Sequence, residues 1–171
     1  MATRPAGPSA RAALRAATSS VHERLHAVPP FLALSEGRLT CDEYRALLSR
    51  MAGYYFAVAR YLPIEPTRLQ RLEQDLSAIG APPPPAFDLV RVGDKARTLG
   101  WRYVVEGSIF GGRVIYRQLD YLFGDEESGR SFFRGTAAGA SQWQALCAEL
   151  EDAGTAPGAI DQMTEGALDA F

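Results

Sequence analysis

The chain has 171 residues, with 18 basic and 20 acidic side chains and a formal net charge of −2. Hydrophobic residues make up 47% of it and charged residues 22%, a composition that excludes disordered and fibrous proteins. The balanced charge gives no general attraction to nucleic acid or to anionic membranes, so we expect neither as a partner. The length suits one domain with a substantial core.

The two cysteines are too few for a disulfide framework, and we expect free thiols in a reducing compartment. No apolar run approaches the roughly 20 residues of a membrane span. The first nine residues lack the apolar segment of a secretory signal. We therefore predict a cytoplasmic protein with a flexible tail over residues 1–10 and one domain over residues 11–171.

Apolar residues recur at steps of three and four almost throughout, which predicts an all-α fold of about seven helices. The first helix carries an apolar stripe over residues 14–28, and two prolines end it. Thr40, with Glu43 three residues later, has the pattern of a capping box. It begins a second predicted helix that continues to Pro63.

The rest of the chain continues the helical pattern. Four further helices are predicted, over residues 66–79, 94–123, 141–154 and 157–170. The second of these is expected to bend at its glycines and to stop at Gly124, and Ser141, followed by Gln144, is the predicted N-cap of the third. The prolines at 82–85 predict an extended connector. Residues 88–92 have the pattern of a short strand, although no partner strand is evident.

Gly107, Gly111 and Gly112 lie close together inside the longest predicted helix. Each glycine costs about 1 kcal/mol relative to alanine in a helix interior. One explanation is close packing against another helix through small residues. The other is that the backbone must approach a flat ligand, with the helix bent to cover it. Spacing alone leaves both explanations open.

The only two histidines, His22 and His26, lie four residues apart on one face of the first predicted helix. They are either surface residues or a metal-binding pair. The spacing from Glu23 to His26 also occurs in di-iron bundles, but those need a second such motif. Arg15, two turns before His22, is either a solvated arginine or the partner of a carboxylate at a cofactor's edge.

Other side chains have simpler explanations. The sequence contains no P-loop, no Ser-His-Asp arrangement and no Cys-x-x-Cys motif. Five arginines are predicted on a solvated face, namely Arg45, Arg50, Arg60, Arg68 and Arg71. Most aromatic residues fit helical spacing and are predicted to lie in the core, namely Tyr54, Tyr55, Phe56, Tyr61, Trp101, Tyr103, Phe110, Phe132, Phe133 and Trp143.

Two segments together resemble the heme oxygenases. The segment that resembles their proximal helix is Leu14-Arg-Ala-Ala-Thr18-Ser-Ser-Val-His22-Glu-Arg-Leu25. The segment that resembles their distal helix is Tyr103-Val-Val-Glu-Gly107-Ser108-Ile-Phe-Gly111-Gly112-Arg113-Val-Ile115. Similarity also covers residues 40–55, Phe132–Phe133 and Trp143, and it is greatest to bacterial biliverdin-forming members, including those associated with bacteriophytochromes.

The resemblance implies an all-α fold in which heme b (iron protoporphyrin IX) lies between the first helix and a glycine-kinked distal helix. His22 would bind the iron through a ring nitrogen. Heme would be both substrate and cofactor. With O₂ and electrons from a separate reductant, a ferredoxin or a reductase, its ring would open to biliverdin, carbon monoxide and ferrous iron. Biliverdin would pass to a bacteriophytochrome.

The resemblance also implies roles for individual residues. Gly107 and Gly111 would let the backbone lie against the heme, and Ser108 would hold an ordered water as proton donor, where mammalian members have an aspartate. These three residues are the expected catalytic set. The expected heme-binding set comprises Arg15, Thr18, Gly107, Ser108, Gly111, Gly112 and Arg113, of which Arg15 would hold a propionate and Arg113 would face a propionate or solvent.

The chain departs from the family at several positions. His26 stands where some members have a glutamate that orients the axial histidine, so it would either assist or compete with His22. Ala52 stands where many members have a tyrosine, whereas Tyr55 matches the next tyrosine. Two alternatives therefore remain: a non-catalytic heme carrier or sensor on the same fold, and a helical protein-interaction module without a ligand.

Overall fold

The computed structural model describes residues 9–89 and 93–171, and all regular structure in these residues is helical, which confirms the predicted fold class. In chain order the helices are α1 (Ala10–Ala27), α2 (Pro29–Ser35), α3 (Cys41–Val58), α4 (Pro66–Ala78), α5 (Lys95–Gln118), α6 (Asp120–Phe123), α7 (Ser131–Arg134), α8 (Ala137–Ala153) and α9 (Ala159–Asp169). The short helices α2, α6 and α7 were not predicted as separate helices.

Side-chain caps determine where the long helices begin. The hydroxyl of Ser9 accepts a hydrogen bond from the N–H of Ala12 and starts α1. The predicted capping box at the start of α3 is confirmed: the Thr40 hydroxyl accepts from the Glu43 N–H at 3.3 Å, and the Glu43 carboxylate accepts from the Thr40 N–H at 2.8 Å. These reciprocal bonds satisfy N–H groups that have no partner inside the helix.

Of two predicted helix ends, the first is confirmed and the second is wrong. The proline pair does end α1, but it also forms the first turn of α2, because proline is tolerated where a helix has no use for the N–H. The helix predicted over residues 94–123 ends at Gln118, and α6 follows after Leu119, with Gly124 at a positive φ of 55° as its end. The helix continues through Gly107–Gly112 without interruption, and its bend stays a prediction.

Ser141 is not an N-cap, contrary to the prediction. The helix α8 begins at Ala137, because the Thr136 hydroxyl accepts from the N–H of Gly139 at 2.9 Å and caps the helix earlier. Ser141 lies inside α8, and its hydroxyl donates to the Ala137 carbonyl. The predicted start is therefore late by one helical turn.

Two predicted segments fall partly outside the described residues. Residues 1–8 of the predicted tail lie there, and α1 begins at Ala10, which is buried. Residues 90–92 of the predicted strand lie there too. The prolines at 82–85 form no regular structure, as expected for a connector.

The core consists of two clusters that both include α5. The larger one surrounds α3 and contains Tyr44, Leu48, Tyr55, Trp101, Val105, Phe132 and Phe133. The smaller one joins α1, α5, α8 and α9 through Leu14, Leu99, Leu146, Leu150 and Met163. Because α5 passes between the clusters, its central turns, which carry the glycines, are held by packing on several sides.

Among the described helices, α5 and α9 pack most extensively against each other. A Cβ atom on Gly166 would lie 2.0 Å from the carbonyl oxygen of Arg97, so α9 approaches the α5 backbone through a position without a side chain. Arg97 also bonds the carboxylates of Glu165 and Asp169 on α9. Among the described residues, no helix is both long enough and apolar enough to cross a membrane.

Candidate functional site

The buried face of α1 stops one turn before His22. Ala10, Leu14 and Thr18 are buried and follow one another at four-residue intervals. His22 is the next residue on this stripe, since residues four apart share a helix face, but it is exposed. The Thr18 hydroxyl is satisfied by donating to the Leu14 carbonyl at 2.8 Å. His22 therefore lies on the same face of α1 as the buried residues, but no neighbouring helix buries it.

The surroundings of His22 favour its neutral form. Its ring centroid lies 4.6 Å from that of His26 and 6.2 Å from that of Phe171. Partial loss of water around the imidazole lowers its pKa, the nearby His26 lowers it further, and Glu23 opposes both effects. The lowered pKa favours the unprotonated ring, which has a nitrogen lone pair able to bind a metal.

The three glycines of α5 have different surroundings. A Cβ atom on Gly112 would lie 3.0 Å from the carbonyl oxygen of Phe133, so this glycine serves close packing. A Cβ atom on Gly107 would lie 3.0 Å from the Trp143 ring. A Cβ atom on Gly111 would meet no atom within 4 Å. Packing thus explains Gly112, whereas it gives no reason for a glycine at position 111.

The surface around Gly111 is apolar and exposed. Phe110 is 45% exposed and Val114 is 46% exposed. The Trp143 ring packs 5.6 Å from the rings of both Phe110 and Tyr103. The prediction that Phe110 lies in the core is wrong, because its ring meets the Trp143 ring of α8 and otherwise stays largely exposed. Tyr61, predicted to be core as well, is 46% exposed just after α3.

The predicted residues of α1 and α5 meet near Tyr103. Burial raises the pKa of the Tyr103 phenol, and the positive charges of Arg15 and Arg11 and the hydroxyl of Thr18 oppose that rise. Arg15 and Thr18 therefore lie close to the turn of α5 that precedes Gly107. His22 lies one turn beyond Thr18 along α1.

Arg113 stands apart from this junction. It is exposed, and its guanidinium lies near Gly135, which directly follows α7. No ion pair of Arg113 is found in the part of the chain that the structure describes. Its predicted contact with a propionate or with solvent stays a prediction.

A polar cluster on the other side of α5 was missed by sequence reasoning. The Nη2 of Arg68, on α4, donates to the Tyr55 hydroxyl at 2.8 Å and to the Ser108 hydroxyl at 2.9 Å. Its Nη1 donates to the Val105 carbonyl at 3.0 Å. The guanidinium also lies over the rings of Tyr55 and Phe132, 4.6 and 4.9 Å from their centroids. Ser108 is thus held by partners from two other helices.

Arg68 is only 6% exposed, so its predicted place on a solvated face is wrong. The reason is tertiary, since its hydrogen-bond acceptors are supplied by α3 and α5 and replace the water it loses. Its spacing from Leu72, four residues later and fully buried, was the one signal in the sequence that pointed inward. Arg45, Arg50 and Arg60 are exposed as predicted, and Arg71 is half-buried.

Two small cavities flank the Arg68 side chain. One has a volume of about 40 Å³ and the other about 10 Å³. Pockets for large organic ligands measure roughly 300–1,000 Å³. Neither cavity suits a ligand of heme's size, whereas the surface of α5 at Gly111 is open. The larger cavity is lined by Met51, Tyr55, Arg68, Ser108, Ile109, Gly112, Phe132, Phe133 and Gly135.

Glu106 borders the smaller cavity. One carboxylate oxygen accepts from Arg102 at 2.8 Å, and Arg102 also donates to Glu149 at 2.7 Å. The other oxygen, Oε2, is buried and has no hydrogen-bond partner among the described residues. Burial raises the pKa of this carboxyl, opposed by Arg102.

The residues described hold no group of three or more histidine, cysteine, aspartate and glutamate side chains that could bind a metal ion. His22 and His26 are thus a pair without a third ligand of these types in the described residues. A ligand that brings its own metal-coordinating ring needs just one or two axial residues from the protein. Either histidine of the pair can supply such an axial residue.

No protein-family model matches the sequence, and no curated protein matches it. Among solved structures, the chain is similar to the heme oxygenase of Neisseria meningitidis, whose crystal structures were determined with NO and CO bound. The TM-score is 0.72 at 20% sequence identity, over 96% of this chain and 87% of that one. The protein therefore has the all-helical fold of a heme oxygenase.

Proposed function

We propose that the protein is a biliverdin-producing heme oxygenase that holds heme between α1 and the glycine-bearing turns of α5. The observation that carries this proposal is the empty space at Gly111. A glycine at this position costs about 1 kcal/mol of helix stability, and no atom within 4 Å would oppose a side chain there. A flat ligand that lies on the backbone would explain why position 111 is a glycine.

The fit of heme rests on this chain's own residues. Phe110, Val114 and the aromatic ring of Trp143 give an apolar surface suited to a porphyrin face. His22 offers an exposed, neutral imidazole on α1 and is the proposed axial ligand. Bound heme would supply the iron that activates O₂.

Charged and polar residues would orient the heme at its edges. Arg15 lies beside Thr18 at the junction of α1 with Tyr103, and we assign it to one propionate. Arg113, exposed near Gly135, is assigned to the other propionate. Two arginines at the edge would fix the rotation of the ring in its plane and so select which carbon bridge is attacked.

The backbone of Gly107–Gly112 would restrict the space above the iron. Without a side chain at position 111, the helix backbone would be able to lie against the porphyrin, and the Trp143 ring, which occupies the space beside Gly107, would border it. Such close contact with the backbone would direct the oxygen to the porphyrin itself. Ser108, beside Gly107, belongs to the polar cluster from which a proton would come.

The partners follow from the reaction. Opening the ring consumes electrons, which in this proposal come from a separate ferredoxin or reductase. The product would be delivered to a bacteriophytochrome, and the protein would work in the cytoplasm. These assignments rest on the sequence resemblance to bacteriophytochrome-associated members.

The proposal is tested by titrating the protein with hemin, then adding ascorbate and O₂ in air. We expect a Soret band on binding, followed by its bleaching and by the absorption of biliverdin. His22→Ala is expected to abolish the axial bond and turnover, whereas His26→Ala, the matched control on the same face, retains the Soret band. Unchanged turnover in His22→Ala would reject His22 as the ligand.

A second pair of variants tests the α5 face. Gly111→Leu fills the open space and is expected to prevent hemin binding or divert the reaction. Ala46→Leu adds the same side chain at an exposed position of α3 and is the control. A normal biliverdin yield from Gly111→Leu would refute the role of this face.

The same titration separates the alternatives. Hemin binding without bleaching would identify a heme carrier or sensor, a function favoured by the alanine at the fully buried position 52, where many heme oxygenases have a tyrosine. Failure to bind hemin at micromolar concentration would identify a protein-interaction module.

A further inference from the structure

We propose that His22 and His26 together bind a divalent transition-metal ion such as Zn²⁺, one ion per chain, and that this ion and heme exclude each other at His22. The metal site is independent of the proposed function. The exclusion rests on the proposed function, because His22 is the proposed axial ligand of heme. Both statements follow from the spacing, the exposure and the chemistry of the two histidines.

The two imidazoles lie side by side near the end of α1. Residues four apart in a helix are neighbours on its surface. The helix continues to Ala27, so both histidines belong to its regular part. Their ring centroids are 4.6 Å apart, and the ring planes are inclined by 67°. The helix backbone therefore holds the two rings at a short separation.

This separation suits two rings that share one metal ion. Zinc lies about 2.0–2.1 Å from the imidazole nitrogen that binds it, which puts it about 3.2 Å from the centroid of that ring. Two rings bound at an angle of about 90–110° then have centroids roughly 4.5–5.2 Å apart. The observed separation of 4.6 Å lies within this interval. Side-chain rotations alone would bring one nitrogen of each ring onto the ion.

The surroundings of the two rings accept a cation. His22 and His26 are both exposed, so an ion reaches them and keeps water on its remaining coordination positions. The charge of the Glu23 carboxylate acts on His22. A divalent ion at this place therefore meets two nitrogen ligands and a nearby negative charge.

The two ligands determine the class of metal. Imidazole suits zinc, copper and nickel, whereas magnesium and calcium prefer carboxylate, carbonyl and water oxygens. The described residues hold no group of three or more histidine, cysteine, aspartate and glutamate side chains suited to a metal. Water must therefore complete the coordination. The pair is thus an open chelate that exchanges its ion with the solution, unlike the closed four-ligand sites of structural zinc.

A metal ion on His22 has a consequence for heme. A neutral imidazole has one nitrogen with a free lone pair, so His22 cannot bind the ion and heme iron at the same time. His26 strengthens the binding of the ion, but heme needs just one of the two histidines on this side. Removal of His26 is therefore expected to abolish the effect of the ion and to leave heme binding intact.

The first test is a calorimetric titration of the heme-free protein with Zn²⁺. We expect one ion per chain in the wild-type protein. Binding is expected to be at least about tenfold weaker in His22→Ala and in His26→Ala, because the second bond of a chelate forms within one molecule. The matched control combines His26→Ala with Arg24→His. It keeps two histidines on α1, but residues two apart do not face each other, so it should bind as weakly as His26→Ala.

Both histidines are exposed, so the variants lose no buried side chain and are expected to fold, which circular dichroism checks. Unchanged Zn²⁺ affinity in either alanine variant would overturn the inference, as would wild-type affinity in the Arg24→His control. Cys41 is an exposed thiol. Binding that survives in all variants would therefore place the ion on other residues and would likewise overturn the inference.

The second test is a hemin titration, followed by the Soret band, with and without Zn²⁺. At a Zn²⁺ concentration ten times its dissociation constant, we expect hemin to bind the wild-type protein about tenfold more weakly. Mg²⁺ at the same concentration is the control and should have no effect. In His26→Ala this Zn²⁺ concentration should leave hemin binding nearly unchanged. Unchanged hemin binding by the wild-type protein in Zn²⁺ would overturn the exclusion.

The two tests distinguish failure of this inference from failure of the proposed function. If the wild-type protein does not bind hemin, the proposed function is refuted, and the calorimetric titration still decides the metal site. If hemin binds but Zn²⁺ does not, the metal site is refuted and the proposed function stands.

Discussion

A Cβ atom on Gly100 would lie 1.9 Å from the carbonyl oxygen of Met163, so α5 and α9 touch backbone to backbone at this point. Gly100→Ala must push the two helices apart, because a carbonyl oxygen of a helix cannot move aside as a flexible side chain can. We expect a loss of about 1–3 kcal/mol in the free energy of unfolding, measured by urea denaturation of the heme-free protein. A variant as stable as the wild type would contradict this contact.

Gly111→Ala should have the opposite effect on stability. No atom within 4 Å opposes the new methyl group, and alanine favours the helix by about 0.5–1 kcal/mol over glycine. We expect the heme-free variant to be more stable and its hemin affinity to be lower than that of the wild type. The same urea and hemin titrations measure both. A loss of stability, or unchanged affinity, would show that the space at Gly111 is not reserved for a ligand.

Asp75 holds Gly129 and the start of α7, the short helix that carries two phenylalanines of the core. Its carboxylate accepts from the N–H groups of Gly129 and Phe132 and from the hydroxyl of Ser131. Asp75→Ala leaves these buried donors without a partner, and we expect a loss of at least about 2 kcal/mol in the free energy of unfolding. Glu73→Ala, at an exposed position of the same helix, is the control and is expected to stay within about 0.5 kcal/mol. Equal losses in the two variants would refute the assignment.

Glu106→Gln should change the pH dependence of stability. Because burial raises the pKa of this carboxyl, the folded protein loses stability as the pH rises through the raised value, and the glutamine variant does not. We expect the melting temperature of the variant to exceed that of the wild type by the largest margin at neutral pH. The advantage should disappear as the pH falls toward 4.5, the ordinary value. A difference that is constant from pH 4 to pH 8 would contradict the raised pKa.

Local patterns allowed some features to be predicted from the sequence. The capping box of Thr40 and Glu43 depends on residues three apart, so it was predicted correctly. The start of α8 was predicted late, because Thr136 caps the helix and the small residues that follow gave no apolar stripe. The helical pattern that places His22 beyond Thr18 is also local. The surroundings of the imidazole depend on α9 and the chain that follows it. The periodicity of α1 does not predict contacts with another helix.

The features that could not be predicted from the sequence depend on contacts between residues far apart in the chain. The hydroxyl groups that surround the Arg68 guanidinium come from residues 13 and 40 positions away. A helical arginine with no buried partner in its own helix is normally solvated, so the polar cluster was not predictable. Gly111 and Gly112 are neighbours in the sequence, yet one is open and the other packs on Phe133. Only the position of α7 distinguishes them.

The helix α9 packs against both α1 and α5. It therefore acts as a spacer whose thickness determines how far the histidine-bearing helix stands from the glycine-bearing one. The separation of α1 from α5 is therefore set by the side chains that α9 places between them. Small changes in side-chain volume on α9 are then a means of adjusting the distance between these two helices.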